Sequence, residues 1–266
     1  MYYLFSLLVL IMAVLLYMMY EARNVKVERI EFTLSKKGLK IIQLSDIHVK
    51  FLRVPAATIK SIIDKEKPDI IIMTGDYIEK PLHIEKFLGF LAQISGNIPV
   101  FLCLGNHDYR AFKTKKAEFF IKALEENGIT VLVNRTVGFK KGNIIYNITG
   151  IDDLSEGKPD INKALESASK EAFVTIAISH NPDIVFDIPK GKVDYLFCGH
   201  FHGGQIWMPF HLEFRMLRDE KLCKMNITRG LHKVNGINLY INRGLGNVCV
   251  PLRFLSKPEI TVFHLP

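Results

Sequence analysis

Five short apolar runs end in the same kinds of residue, and that repeated ending constrains the fold more than anything else in the 266 residues. Leu39 to Leu44 runs into Ser45-Asp46-Ile47-His48, and Ile70 to Met73 into Thr74-Gly75-Asp76. Val100 to Leu104 leads to Gly105-Asn106-His107-Asp108, Val174 to Ile178 to Ser179-His180-Asn181, and Tyr195 to Cys198 to Gly199-His200-Phe201-His202. Runs this short and this rich in Ile and Val read as buried strands. Ile144 to Ile148, Ile237 to Ile241 and Ile260 to Phe263 add further strands, and Val25 to Leu34 an edge strand. Helices are expected at Pro55 to Glu66, Ile84 to Ile94, Lys115 to Asn127 and Ile161 to Lys170. Alternating strands and helices predict an α/β domain with sheet at its centre. In such domains ligand sites collect beyond the carboxyl ends of the strands, so five furnished ends point to one shared site.

The residue types point to metal. Asp46 and His48 are two apart on extended chain, so their side chains share a side, and the same holds for His200 and His202. A mixture of carboxylate, imidazole and amide oxygen suits Mn, Fe or Zn better than Ca or a thiolate-bound ion. Asp46, His48, Asp76, Asn106, His180, His200 and His202 exceed what one tetrahedral ion requires. Two ions about 3.5–4 Å apart would use them, clamping the attacking and leaving oxygens of an in-line displacement. Gly75, Gly105 and Gly199 each precede a candidate ligand, where the chain must turn sharply or admit substrate oxygens.

The ordered set Asp-x-His, Gly-Asp, Gly-Asn-His-Asp, His and Gly-His-x-His resembles the signature of the calcineurin-like metallophosphoesterases over about residues 39 to 264. The resemblance implies a four-layer α/β/β/α sandwich and a dinuclear centre of two divalent ions, Mn first and Fe or Zn as alternatives. It implies that Asp46, His48, Asp76 and His202 hold one ion. Asp76 would bridge to the second, completed by Asn106, His180 and His200. His107 would protonate the leaving oxygen or steady the phosphate, oriented by Asp108. The protein-phosphatase branch has an Arg-Gly pair after Gly-Asp, whereas Tyr77-Ile78-Glu79 follows here, so phosphoprotein recognition is not expected. Gly203-Gly204-Gln205, Asn242-Arg243-Gly244-Leu245-Gly246, Pro251-Leu252-Arg253 and Pro258-Glu259-Ile260 instead resemble a bacterial membrane-associated subgroup. That subgroup includes YkuE-like and YaeI-like phosphodiesterases and the chlamydial-type UDP-2,3-diacylglucosamine hydrolase.

The N-terminus fits that subgroup. No charge interrupts Tyr2 to Tyr20, which is long enough for a bilayer span of about 20 residues. With no Lys or Arg before it and no small-x-small site after it, the segment reads as an uncleaved anchor. The expected organisation is an anchor at 1–22 and a catalytic domain at 23–266, single-pass in the cell membrane. Arg23, Lys26 and Arg29 place that domain on the cytoplasmic side. Residues 206–235 break the rhythm with basic and aromatic side chains and read as a flap near the site that faces lipid. The formal charge of +8 favours anionic partners. Arg243 and Arg253 are candidates for substrate phosphate, Arg243 the better placed beside two glycines. Asp152 and Asp153 either line the site or cap the next helix. Cys103 and Cys198 read as small buried hydrophobes.

The expected substrate is therefore a phosphorylated, amphiphilic molecule, with UDP-2,3-diacylglucosamine of lipid A synthesis first and a generic phosphodiester second. A nuclease or cyclic-nucleotide phosphodiesterase would use the same metals, yet a membrane tether suits bulk nucleic acid poorly. A non-enzymatic scaffold would be expected to have lost a ligand, and none is missing. No obligate protein partner is indicated.

Overall fold

The computed structural model describes residues 1–35, 37–112 and 117–266. Helix α1 (Tyr2–Glu21) is followed by two six-stranded sheets. The first contains β1 (Lys26–Glu31), β2 (Leu39–Leu44), β3 (Ile70–Thr74), β4 (Val100–Cys103) and β5 (Thr130–Val131). The second contains β6 (Arg135–Lys141), β7 (Ile144–Gly150), β8 (Val174–Ile178), β9 (Tyr195–Cys198), β10 (Gly230–Val234) and β11 (Ile237–Ile241). The chain then returns to the first sheet as β12 (Glu259–Leu265). The strand orders are β1-β12-β2-β3-β4-β5 and β10-β11-β9-β8-β7-β6. Within them β2 to β5 run parallel, as do β7, β8, β9 and β11.

The pleat explains the layering. Along β2 and β3, Leu39, Ile41, Ile70 and Ile72 face the second sheet, while Ile42, Leu44, Ile71 and Met73 face helices. Those helices are α2 (Ala56–Glu66), α3 (Ile84–Ser95), α4 (Asn106–Ala111) and α5 (Ala117–Glu126). On the far side, α6 (Ile161–Glu166), α7 (Leu212–Arg215) and α8 (Lys221–Lys224) lie with the outer face of the second sheet. Three apolar layers between four layers of structure make the expected α/β/β/α sandwich. Cys103 and Cys198 are buried within it.

The sequence pattern does not single out β6 or β10. Both are edge strands, and β6 carries Arg135, Lys140 and Lys141 with Gly138 in its middle. Because Gly230–Val234 is strand, the part of 206–235 outside the sheet ends at Arg229. Helix α6 stops at Glu166, short of Lys170, because the Ser167 hydroxyl donates to Thr136 O on β6 at 3.1 Å. The expected start of α5 at Lys115 lies outside the described residues.

The loops after β11 are held by Arg253, which is fully buried. Its guanidinium donates to the carbonyls of Arg243 (3.0 Å), Gly244 (3.1 Å), Gly246 (2.6 Å) and Ser256 (3.0 Å). Burial brings its pKa down to about 10. Arg253 is therefore a structural cation and offers nothing to a substrate. Removing it strands several buried carbonyls, so Arg253→Leu should destabilise the fold by about 3 kcal/mol. A thermal or urea melt checks this, and an unchanged midpoint would contradict it.

Candidate metal centre

The carboxyl ends of β2, β3, β4, β8 and β9 meet where the two sheets come together. Gln43 spans the join below them, donating to Thr74 Oγ1 at 3.0 Å and to Cys198 O at 2.9 Å. Immediately above it the candidate ligands assemble. Asp46 Oδ1 lies 3.2 Å from His202 Nε2, and His202 Nε2 lies 3.2 Å from His48 Nε2. Asp76 Oδ2 lies 3.6 Å from His48 Nε2 and 3.2 Å from His180 Nε2. His180 Nε2 is 3.1 Å from both Asn106 Oδ1 and His200 Nδ1. All seven predicted ligands are thus brought together, and all are buried.

Hydrogen bonds outside the cluster decide which nitrogens face inward. His48 Nδ1 meets the Glu79 carboxylate at 3.1 Å, so its Nε2 carries the lone pair. His180 Nδ1 donates to Thr74 O at 2.7 Å. His200 Nε2 donates to Glu220 Oε1 at 2.9 Å. Arg218 lies 3.0 Å from that same nitrogen and donates to Glu220 Oε1 and to His200 O. With both imidazoles neutral, lone pairs therefore confront each other at 3.1 Å between His180 and His200. His48 presents its own lone pair to His202 at 3.2 Å. Such contacts are repulsive unless a cation or proton lies between them. Two carboxylates stand among them, and the donor set fits two divalent ions: Asp46, His48 and His202 form one group and Asp46, Asp76 and His180 another, with Asp46 common to both.

The charges agree. Burial would raise the Asp76 carboxyl, but His180 and His48 beside it hold it well below its usual value. Burial would lower His180, yet Asp76 outweighs it and lifts the imidazole to about 10. Burial takes His200 and His202 down to about 4. Without a cation the cluster thus keeps a proton on its most acid-surrounded imidazole.

The backbone is strained at the same place. Asp46 (φ +49°), His48 (+40°), Asp76 (+59°), His200 (+75°) and His202 (+52°) all adopt the left-handed region. The preceding glycines make room for other candidate ligands: a Cβ at Gly199 would collide with Ser45 and Asp46, and one at Gly75 with His180. The close approach is between protein groups, and Gly75 itself turns at φ +88°, so the sharp-turn alternative fits and admission of substrate oxygens does not.

Two predicted roles are also corrected. The Asp108 carboxylate does not reach the His107 ring. It accepts the backbone N–H groups of Asp76 (2.9 Å), Tyr77 (2.8 Å), Ile78 (3.1 Å) and Gly105 (2.9 Å), locking the loops after β3 and β4 together. Burial and the neighbouring Asp76 raise its pKa to about 7. Arg243 turns away from the centre. Its guanidinium pairs with Glu259 at 3.3 Å and approaches Glu28 at 3.7 Å, in a separate pocket beside Tyr17 and Arg229. Asp152 and Asp153 accept backbone N–H groups of the 153–158 turn, whereas the next helix is capped by Asp160, so neither of them caps it. His107 stands half-buried in the first turn of α4, its ring edge-on to His48 with centroids 4.9 Å apart. It borders a cleft of about 570 Å³ that opens from the metal centre. Glu79 and Glu220 were missed: neither belongs to a spaced motif, and Glu220 comes from a stretch with no strand rhythm.

The calcineurin-like phosphoesterase family model matches residues 39–204. The chain belongs to this family. It is 35% identical over 235 residues to YkoQ of Bacillus subtilis, an uncharacterized metallophosphoesterase, covering 86% of this chain and 84% of that one. It is 31% identical over 234 residues to phosphodiesterase YaeI of Escherichia coli, covering 85% and 82%. It is 27% identical, over an alignment of 303 positions, to the UDP-2,3-diacylglucosamine pyrophosphatase LpxG of Chlamydia muridarum, covering 92% and 90%. The chain is a metal-dependent phosphoester hydrolase.

Chelation should lower the melting temperature and added Mn restore it, with about 2.7 kcal/mol gained at a hundredfold excess over Kd. Cation binding must displace the His180 proton, so affinity should rise with pH toward the His180 value of about 10. Titration calorimetry at several pH values checks this, and pH-independent affinity would contradict it. Glu220→Gln should weaken cation binding about 10–100-fold by releasing His200.

Proposed function

We infer that this metal-dependent hydrolase is membrane-anchored and cleaves a phosphoester or pyrophosphate bond in an amphiphilic substrate, with UDP-2,3-diacylglucosamine the leading candidate. The observation that carries the hydrolytic centre is the confrontation of imidazole lone pairs beside two buried carboxylates. In this reading Asp46, His48, Asp76 and His202 hold one divalent ion. Asp76, Asn106, His180 and His200 hold the other, and Mn is the first choice of metal. When bound, such a pair polarises the phosphoryl oxygen and lowers the pKa of the attacking water. The chain's residues do the rest. Glu79 and Glu220 fix two of the imidazoles in the tautomer that faces inward. Asp108 keeps the Asp76 and Asn106 loops in register. His107, half-buried at the cleft, gives its proton to the leaving oxygen.

The substrate class is supported by the likeness to LpxG and by α1. Helix α1 is long and apolar enough to cross a membrane. Arg23, Lys26 and Arg29 just beyond it favour a cytoplasmic catalytic domain. The second reading, a general phosphodiesterase, is supported by the greater identity to YaeI.

The test is a side-by-side assay of the Mn-loaded protein in detergent on UDP-2,3-diacylglucosamine and bis-p-nitrophenyl phosphate. Turnover of the lipid nucleotide, lost in Asp76→Asn, is the expected result. Turnover of the generic diester alone would overturn the lipid A assignment and leave the second reading. His107→Ala should keep its cations and lose about 10²–10⁴ in turnover. An emptied metal site in that variant would contradict its role as proton donor.

A further inference from the structure

Exposed apolar side chains outside α1 gather beside the mouth of the metal cleft. Phe210 is 79% exposed, Met216 74% and Leu217 73%, with Trp207, Met208 and Leu212 also open to solvent. Others, such as Leu82 and Phe173, are exposed elsewhere in the chain. A cluster of this kind on a water-facing surface marks an interaction site.

The cluster is joined to the foot of α1 by backbone hydrogen bonds. Trp207 N donates to Phe254 O at 2.9 Å, and Phe254 N to Gln205 O at 3.0 Å. The Phe254 ring meets Tyr17 of α1 edge-on, with centroids 5.9 Å apart. On either side, Arg253 N donates to Met18 O at 3.3 Å and Leu255 N to Glu21 Oε2 at 2.9 Å. Val250 borders the metal cleft on one side. On the other it borders a small apolar pocket of about 270 Å³ against Met19 of α1. Arg215, Lys221 and Lys224 are exposed within the same stretch. Large apolar and aromatic side chains beside Arg and Lys are the composition of a segment lying in a headgroup layer.

We propose that the 207–217 rim, together with Val250, lies in the headgroup layer of the membrane leaflet that α1 enters, so that the metal cleft opens onto lipid. The proposal rests on α1 spanning the bilayer and deepens the substrate reading: the phosphate group reaches the metals while its apolar part stays at the membrane. The bilayer is the occupant because the rim continues the foot of an already lipid-facing helix, carries Arg215 and is followed by Lys221, cations that match anionic headgroups.

Trp207 is the chain's single tryptophan and reports directly on this rim. The full chain would be placed in lipid nanodiscs containing phosphatidylglycerol, with and without bromine on the upper acyl carbons. The expected result is a blue-shifted emission that brominated lipid quenches and acrylamide does not. In the double variant Phe210→Ser, Met216→Ser both the shift and the quenching should be lost, while turnover of water-soluble bis-p-nitrophenyl phosphate is unchanged. A Trp207 emission at its water-exposed position, indifferent to bromine in discs that hold the chain, would overturn the proposal. So would a blue shift that depends on protein concentration and ignores bromine, which would assign the rim to a second copy. The readout is position and not catalysis, so it stands apart from failure of the lipid A assignment.

Discussion

The structure depends on one crowded contact: two carboxylates and four buried imidazoles, each 3.1 or 3.2 Å from its nearest partner, where two sheets meet. Desolvating such groups is costly, and several of their lone pairs face each other. The surrounding fold is arranged to hold them there. Glu79 and Glu220 fix imidazole orientation, and Asp108 gathers four backbone donors. Five residues of the cluster adopt left-handed backbone that their side chains ordinarily avoid. Strain and burial of this kind persist only where the surrounding structure enforces them, and cations relieve the lone-pair conflict.

The two-sheet architecture explains why one chain can deliver so many ligands to one point. Each parallel strand ends on the same edge of its sheet, and the inter-sheet core, from Ile41 to Phe263, sets the two edges facing each other. Ligands separated by more than 150 residues, such as Asp46 and His202, then meet at 3.2 Å. Helix α1 extends this logic. Its foot packs on the loops that Arg253 braces, and those loops continue into the wall of the cleft. Helix α1 and the catalytic edge are thereby joined through one set of loops.

Much of this was legible in the amino-acid order. Buried strands carry dense Ile and Val, so β2, β3 and β8 were plain, β9 was marked by its short run of Tyr, Leu, Phe and Cys, and polar residues at their ends stood out. The seven ligand candidates converge because strand ends are placed by topology, which sequence rhythm reveals. What was illegible depends on side-chain direction. Arg243 sits beside glycines near the site, yet its guanidinium turns to Glu259, a residue 16 positions later that the pairing of β12 with β1 puts in place. Asp108 neighbours His107 in sequence, but the first turn of α4 points its carboxylate back at backbone N–H groups. Edge strands β6 and β10 are half-solvated, so their apolar pattern is diluted by Lys, Arg and His. Glu220 lies in a segment whose short helices leave no periodic trace.

The central claim is that these residues hold two cations sharing Asp76. The most direct measurement is electron paramagnetic resonance of the chain titrated with Mn, alongside metal analysis. The account predicts two Mn ions per chain and a spin-coupled spectrum, because a shared carboxylate brings the ions within exchange distance. A single bound ion at saturation, or two ions with independent, uncoupled spectra, would contradict it.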